Sequence, residues 1–524
     1  MGKCYFFMAG GALSVLALNS CTDTSETKQL NIVYIMTDDH TRQVMGCYGS
    51  DYADTPNLDK IAEEGVIFTN AYVANSISGP SRACILTGKH SHINGFTDNT
   101  RTFDGEQQTF PKLLRKAGYQ TAVIGKWHLH SLPTGFDYWD ILIGQGDYYN
   151  SPFITMGDTL KTEGYVTNTI TDKSIDWLEN RRDKSKPFML MVHHKAIHRN
   201  WMADTCHLKD YEEKVFPIPD NFYDDYDGRK AASLQEMDIR EGDMDLLYDL
   251  KMYRPGDESR LRRNYISDDK RHGTYGNMND AQRQAWDAHY NPIIKEFFSS
   301  NLKGKELMEW KYQRYMRDYM KTVKSLDENV GRLMAYLEES GLLENTLVIY
   351  TSDQGFYMGE HGWFDKRFMY DESFSTPLIM RLPKGYDRRG EITELVQNID
   401  YAPTFLEIAG AEIPDDIQGV SLLPLLKGEK PENWRNALYY HFYEYPGEHA
   451  VRKHYGIYDG RYKLIHFYGD DIDEWELFDR NTDPSEMHNI YSLPENAGTV
   501  KQMKSRLKEL QVMYKDPILE KYPL

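Results

Sequence analysis

Ser78, Gly79, Pro80, Ser81 and Arg82 stand at the head of the stretch "SGPSRACILTG", residues 78–88. Ser78 falls where a helix N-cap would, Pro80 suits a first turn, and Ala83 to Leu86 propagate a helix. A helix N-terminus presents unpaired N–H groups and the positive end of a dipole, so it attracts an anion. Arg82, one turn on, adds a fixed charge to the same place. Taken alone, the stretch also describes an ordinary capped helix.

Two further segments carry oxygen donors. Asp38 and Asp39 follow the apolar run 31–36, and Asp353 with Gln354 follows 346–350. Carboxylates gathered at one place repel each other unless a cation neutralises them, and an all-oxygen set suits Ca²⁺ or Mg²⁺ rather than zinc. Lys126, His128, His198, Lys366 and Arg82 are the cationic and proton-carrying groups that follow strands or sit in nearby loops. Cations over a metal-bearing centre suit a tetrahedral oxyanion ester, sulfate or phosphate. They bind its oxygens, stabilise charge developing on them and protonate the leaving alcohol. Singly, each lysine or histidine reads as a surface residue. The set carries the argument.

Such groups do chemistry only if the fold brings them together. Runs 31–36, 121–125, 188–192 and 346–350 are short, apolar and rich in β-formers, and polar residues follow each of them. Continuous apolar strands imply burial on both faces, as in a parallel sheet covered by helices. Helical stretches at 56–65 and 110–119 lie among them, and a longer one carries Tyr315, Tyr319, Val323, Leu326, Val330, Leu333 and Leu337 at helical spacing. This pattern predicts an α/β fold whose ligands bind at the carboxyl ends of the strands, where the polar clusters converge.

The chain has 524 residues, 61 basic and 80 acidic side chains, and a net charge of −19. That balance disfavours nucleic acid or an anionic membrane surface as the main partner. Residues 6–18 form an apolar run too short to span a bilayer comfortably, ending in "LNSC". This pattern resembles a bacterial lipoprotein signal, with 1–20 cleaved, Cys21 lipidated and 21–29 a tether. An ordinary cleaved signal is the alternative. Cys47, Cys84 and Cys206 remain, so at most one disulfide is possible.

These motifs resemble the formylglycine-dependent sulfatases of the alkaline phosphatase superfamily. Their signature, [C/S]-x-P-S-R-x-x-x-x-T-G, is matched throughout at 78–88, and "GKWHL" at 125–129 matches the second signature. "TDD" at 37–39 and "SDQG" at 352–355 match the metal-ligand segments. The resemblance implies a large mixed, mostly parallel sheet flanked by helices, spanning 30–430. A smaller C-terminal α+β subdomain of antiparallel strands and a closing helix would occupy 431–524. It also implies that a sulfatase-maturing enzyme oxidises Ser78 to formylglycine, whose hydrate supplies the oxygen nucleophile, held by Ca²⁺ and Arg82. That oxygen attacks sulfur, the sugar alcohol leaves, and the sulfated hydrate collapses to aldehyde and free sulfate.

Carried over residue by residue, Asp38, Asp39, Asp353 and Gln354 are Ca²⁺ ligands together with the modified Ser78. Lys126 and Lys366 bind sulfate, His128 partners the hydrate, and His198 is the acid to the leaving oxygen. Many relatives read P-H-x-P at that last point, whereas this chain reads "AIHRNW", so His193 and His194 remain alternatives. The loop 355–381 resembles sulfatases that remove 6-O-sulfate from N-acetylglucosamine in heparan-type glycans, with His361, Asp365 and Arg367 facing the sugar. Asp365 and Arg367 also read as a loop ion pair. His449 and His454 read as exposed, with projection into the pocket as the alternative. Residues 202–308 form a polar insertion that decorates the pocket rim or covers the C-terminal subdomain.

A phosphodiesterase or phosphatase with unmodified Ser78 is the rival within the superfamily; a non-catalytic glycan-binding lipoprotein is the rival outside it. The expected location is the periplasm or outer membrane of a Gram-negative bacterium. Mass spectrometry of the Ser78 peptide separates the first rival, because formylglycine is lighter than serine by one molecule of hydrogen. Ser78→Ala is expected to abolish turnover with the fold intact, and Ser78→Cys to retain it in a host whose maturase accepts both residues. Substantial sulfate release by the alanine variant would remove the mechanism.

Overall fold

Strand Asn31–Thr37 is buried along its whole length, with Val33 and Ile35 facing one hydrophobic core and Ile32, Tyr34 and Met36 the other. A strand apolar on both faces must lie in the middle of a sheet with helices on either side. The computed structural model describes residues 1–2, 29–253 and 274–524. The apolar N-terminal run and Cys21 lie outside the described residues. Among the described residues, no helix is long and apolar enough to cross a membrane.

Among the described residues, ten strands form the main sheet. Their order is Gly390–Ile392, Val66–Phe68, Leu378–Arg381, Thr346–Ser352, Asn31–Thr37, Phe188–His193, Gln120–Gly125, Tyr138–Leu142, Pro152–Thr155 and Asp158–Lys161. From Thr346–Ser352 through Tyr138–Leu142 the neighbours run parallel, so these strands end on one edge. Antiparallel pairs flank them on both sides. The large mixed sheet expected from the sequence is present, and its parallel centre is the part that matters for the site.

Helix Gly304–Glu339 lies across one face, and Tyr315, Tyr319, Val323, Leu326, Val330, Leu333 and Leu337 are all buried beneath it. Helices Phe110–Lys116 and Tyr401–Ile408 cover the opposite face with Phe110, Leu114, Phe405 and Leu406. A second sheet of four antiparallel strands follows, Leu438–Phe442, His454–Tyr458, Tyr462–Tyr468 and Asp473–Asp479. Helix Ala497–Met513 packs on it through Met503 and Leu507. Cys47, Cys84 and Cys206 are all free.

The weakly periodic insertion contains a regular element that the sequence reading passed over. Asp280–Ser300 is a helix opened by a capping box, in which Asn279 Oδ1 accepts from Gln282 N–H and Gln282 Oε1 accepts from Asn279 N–H. The signal was the Asn-x-x-Gln spacing. The insertion touches both places proposed for it. Its Asp249 accepts from Arg199 near the pocket. On the other side, Lys230 and Ala231 N–H groups donate to Glu474 of the second sheet.

Charge locks the insertion to the long helix. Asp318 is fully buried and receives Lys251 Nζ at 3.0 Å and Tyr290 Oη at 2.8 Å, with Arg314 beside it. Burial alone would raise its carboxyl, but Arg314, Lys251 and Lys321 hold it far below the usual carboxylate range. Removing one partner from such a group leaves the others buried and unpaired. Asp318→Ala is therefore expected to cost about 3–5 kcal/mol in urea unfolding. A loss under about 1 kcal/mol would mean that the cluster is hydrated and unimportant.

Candidate active site

The parallel strands deliver their next residues to one edge. Asp38 and Asp39 follow Asn31–Thr37, Lys126 follows Gln120–Gly125, and Asp353 follows Thr346–Ser352. Gly125 is required at its turn. It has φ +109°, and a Cβ there would lie 1.9 Å from the His193 carbonyl oxygen. Gly355 has the same task after Asp353 and Gln354, since a Cβ would meet the Glu372 oxygen at 2.0 Å.

Helix Ser78–Thr87 approaches this edge end-on. Its N-cap is Ile77 rather than Ser78, which corrects the capping role expected from the sequence. As the first helical residue, Ser78 is freed from capping, and its Oγ donates to Asp38 Oδ1 at 3.0 Å. The second serine has a structural task, with Ser81 Oγ bonded to the Asp353 carbonyl oxygen. Arg82 is 2% exposed, and its Nε and Nη2 donate to Asp353 Oδ2 at 3.2 and 3.0 Å. Its Nη1 donates to the Lys126 carbonyl at 2.9 Å.

Lys126 Nζ contacts Asp38 Oδ2. Lys366 Nζ donates to both oxygens of Asp39, at 2.6 and 2.7 Å. Asp39 itself has φ +63°, and Tyr319 Oη holds its carbonyl at 2.6 Å. Burial raises the Asp39 carboxyl to about 6, because Asp353 and Asp365 add to the effect and Lys366 only partly offsets it. Burial likewise pushes Lys126 well below the usual lysine range, against the pull of Asp353 and with the help of Lys195 and Lys366. Every charge here is out of water.

A cation fits this arrangement. Ligand atoms of Asp38, Asp39 and His198 lie within 4.8 Å of one another. Gln354 Nε2 donates to Asp39 at 2.6 Å, while its Oε1 is buried without a hydrogen-bond partner. A buried orphan carbonyl beside clustered carboxylates is the donor set of a hard divalent ion.

The histidine alternatives separate by geometry. His198 Nε2 lies 4.0 Å from Asp39 Oδ2, and its Nδ1 sits 2.7 Å from the Arg199 carbonyl oxygen, so the Nε2 side faces the cluster. His193 instead turns Nδ1 to the Lys126 carbonyl at 3.1 Å and packs on Tyr34. His194 is buried; its backbone N–H bonds the Met36 carbonyl, and its ring Nδ1 is buried without a hydrogen-bond partner. Burial lowers His198 well below its ordinary range, reinforced by Lys126, Lys366 and Lys195.

Beyond Lys366 lies a second group. Arg367 Nη1 donates to Asp365 Oδ1 at 2.7 Å, so the ion pair is real, and both residues have positive φ. Left-handed backbone at non-glycine residues is costly and gathers where function requires it. His449 is buried, not exposed as expected. Its Nε2 lies 3.3 Å from Asp365 Oδ2, and its Nδ1 is 2.6 Å from the Glu236 carbonyl oxygen. Burial would raise Asp365, yet Arg367, His449 and Lys366 hold it well below the usual range. His454 is also buried, with Nε2 accepting from Met369 N–H. Phe368, Phe442 and Phe467 close off the His454 ring, whereas His449 sits among polar partners, and local sequence revealed neither.

His361 does not join the group. Its Nδ1 meets Asp224 at 2.7 Å, and its ring is enclosed by Tyr357, Trp363 and Tyr370. Lys195 was missed. It is 3% exposed, its ammonium lies 4.9 Å from the Tyr148 ring, and burial lowers it to about 8. Its only sequence signal was its place between the strand end at His193 and His198.

Fold and site together define a hydrolase of tetrahedral oxyanion esters built on the alkaline phosphatase superfamily plan. Within that class the chain belongs to the sulfatase family, hydrolases of sulfate esters. The family model Sulfatase matches residues 30–411, and one described as N-sulphoglucosamine sulphohydrolase, C-terminal, matches 359–513. The chain is 52% identical over 514 residues to an N-acetylglucosamine-6-O-sulfatase of Bacteroides thetaiotaomicron, covering 96% of this chain and 90% of that protein. It is 29% identical to the N-acetylglucosamine-6-sulfatase of Homo sapiens, covering 83% of this chain and 72% of that protein. A solved structure of a protein in complex with its substrate D-glucosamine-2-N,6-O-disulfate superposes with TM-score 0.90 at 52% identity. That match covers 94% of this chain and 99% of the other.

Proposed function

We propose that the protein removes the 6-O-sulfate of N-acetylglucosamine residues from heparan-type fragments, with formylglycine formed from Ser78 and Ca²⁺ as its cofactors. The observation that carries this reading is the 52% identity across almost the whole chain to an N-acetylglucosamine-6-O-sulfatase. The phosphatase alternative is disfavoured by the complete signature at 78–88. The reading includes a maturing enzyme acting on Ser78. It also includes export with a lipid anchor at Cys21, to the periplasm or outer membrane of a Gram-negative bacterium.

Asp38, Asp39, Asp353 and the Gln354 carbonyl would hold Ca²⁺, which polarises a sulfate oxygen and supports an oxygen nucleophile at position 78. The protein's own residues do the rest. Lys126 meets Asp38 and Lys366 meets Asp39. Carboxylates engaged elsewhere would leave these ammonium groups free to bind sulfate oxygens. Arg82, braced by Asp353 and the Lys126 carbonyl, fixes charge at the helix N-terminus. His198, with Nδ1 on the Arg199 carbonyl and Nε2 toward the cluster, would protonate the departing sugar oxygen after Nε2 has itself taken up a proton. Asp365, Arg367 and His449 offer a carboxylate and two donors to ring hydroxyls.

Charge favours short substrates. A net charge of −19 repels a polyanion at long range, and screening confines the site's cations to about 8 Å. Such a site takes one terminal sulfated sugar and acts from the non-reducing end.

A panel of 2-O-, 3-O-, 4-O- and 6-O-sulfated monosaccharides and unsaturated disaccharides tests the reading. Release from 6-O-sulfated N-acetylglucosamine should dominate, and internally sulfated tetrasaccharide should be a poor substrate. Preference for another position, or efficient internal cleavage, would overturn it. Arg367→Ala should reduce kcat/KM on the sugar more than on a small aryl sulfate; equal losses would place Arg367 outside sugar recognition. Exhaustive chelation should lower activity, with Ca²⁺ restoring it. Stoichiometric zinc retained in active protein would contradict the metal assignment.

A further inference from the structure

His128 lies just beyond Lys126, with φ +54°, and its ring nitrogens are treated very differently. Nε2 is 3.0 Å from Gln145 Nε2, whereas Nδ1 is buried and has no hydrogen-bond partner. Gln145 is thus the only hydrogen-bonding side chain on this ring among the described residues. The other end of its amide, Oε1, is itself buried without a partner.

The fold explains how Gln145 gets there. Strand Tyr138–Leu142 runs parallel to Gln120–Gly125, so both chains emerge on the same edge. After Leu142 the backbone turns at once, with Gly146 N–H donating to the Ile143 carbonyl at 3.0 Å and with positive φ at Gly144 and Gly146. These two glycines bracket Gln145 in a tight turn and aim it at the neighbouring strand's histidine.

We propose that Gln145 is the positioning residue for His128, holding its ring through Nε2 and leaving the unpartnered Nδ1 as the proton-handling atom. As placed, the amide NH₂ donates to an unprotonated Nε2, which leaves the ring proton on Nδ1.

This inference rests on the sulfatase reading, in which His128 partners the nucleophile at position 78. The test uses the full chain with its formylglycine content measured by mass spectrometry and its melting temperature recorded. Wild-type turnover of 6-O-sulfated N-acetylglucosamine, or of an aryl sulfate, tests the parent reading separately. Gln145→Leu should lower kcat about 10- to 100-fold with KM changed less than about twofold. In a His128→Ala background, Gln145→Leu should cost less than about twofold more, because its partner is already gone. Unchanged kcat in Gln145→Leu would overturn the proposal. So would full additivity of the leucine variant with His128→Ala.

Discussion

Burying several charges at one dry edge is the constraint on which the rest of this structure depends. Asp38, Asp39 and Asp353 are fully buried, as are Lys126 and, nearly so, Arg82 and Lys366. An unpaired buried ion would be prohibitively costly, so each must meet an opposite charge with good geometry. That requires backbone held to a fraction of an ångström. Parallel strands are well suited to this, because neighbouring hydrogen-bonded chains end side by side on one edge. The long helix adds a further clamp through Tyr319 on the Asp39 carbonyl.

The rest of the molecule is arranged around that edge in layers of decreasing generality. The sheet and the helix at Ser78 build a centre fit for any tetrahedral oxyanion. The loop carrying Asp365, Lys366 and Arg367 reaches from that centre toward a second group, closed by His449 from the segment before the second sheet's next strand. Tyr440 Oη, from the first strand of that sheet, donates to the Arg367 carbonyl at 2.6 Å. The insertion then braces His449 through the Glu236 carbonyl and Arg199 through Asp249. Chemistry and recognition therefore share Lys366 and its neighbours, and no rigid boundary separates them.

Backbone conformation marks the same layering. Asp39, His128, Asp365, Arg367 and His449 all have positive φ. None is glycine, and each conformation is costly by itself. They persist because strong side-chain bonds and dense packing over-determine them. The conformation is not confined to the site, since Met156, Tyr211 and Lys515 also adopt it.

Much was legible in the sequence, for identifiable reasons. Apolar runs at 31–36, 121–125, 188–192 and 346–350 became four adjacent strands, because burial on both faces leaves a strongly biased composition. Ser78, Arg82, Lys126, Asp38, Asp39 and Asp353 converge because strand ends and a helix N-terminus are local features with local signals. What sequence could not specify was which long-range neighbour each side chain meets. His361 looked like a pocket residue yet pairs with Asp224, from the insertion. His449 looked exposed yet is buried against Asp365. Ser78 looked like a cap yet bonds Asp38, forty residues away in the chain. By itself the sequence determined the elements, the donors and the chemistry they allow, since these follow from residue type and short spacing. Only the tertiary structure decided the partners, because partnership is a matter of distance between segments that the chain brings together from far apart.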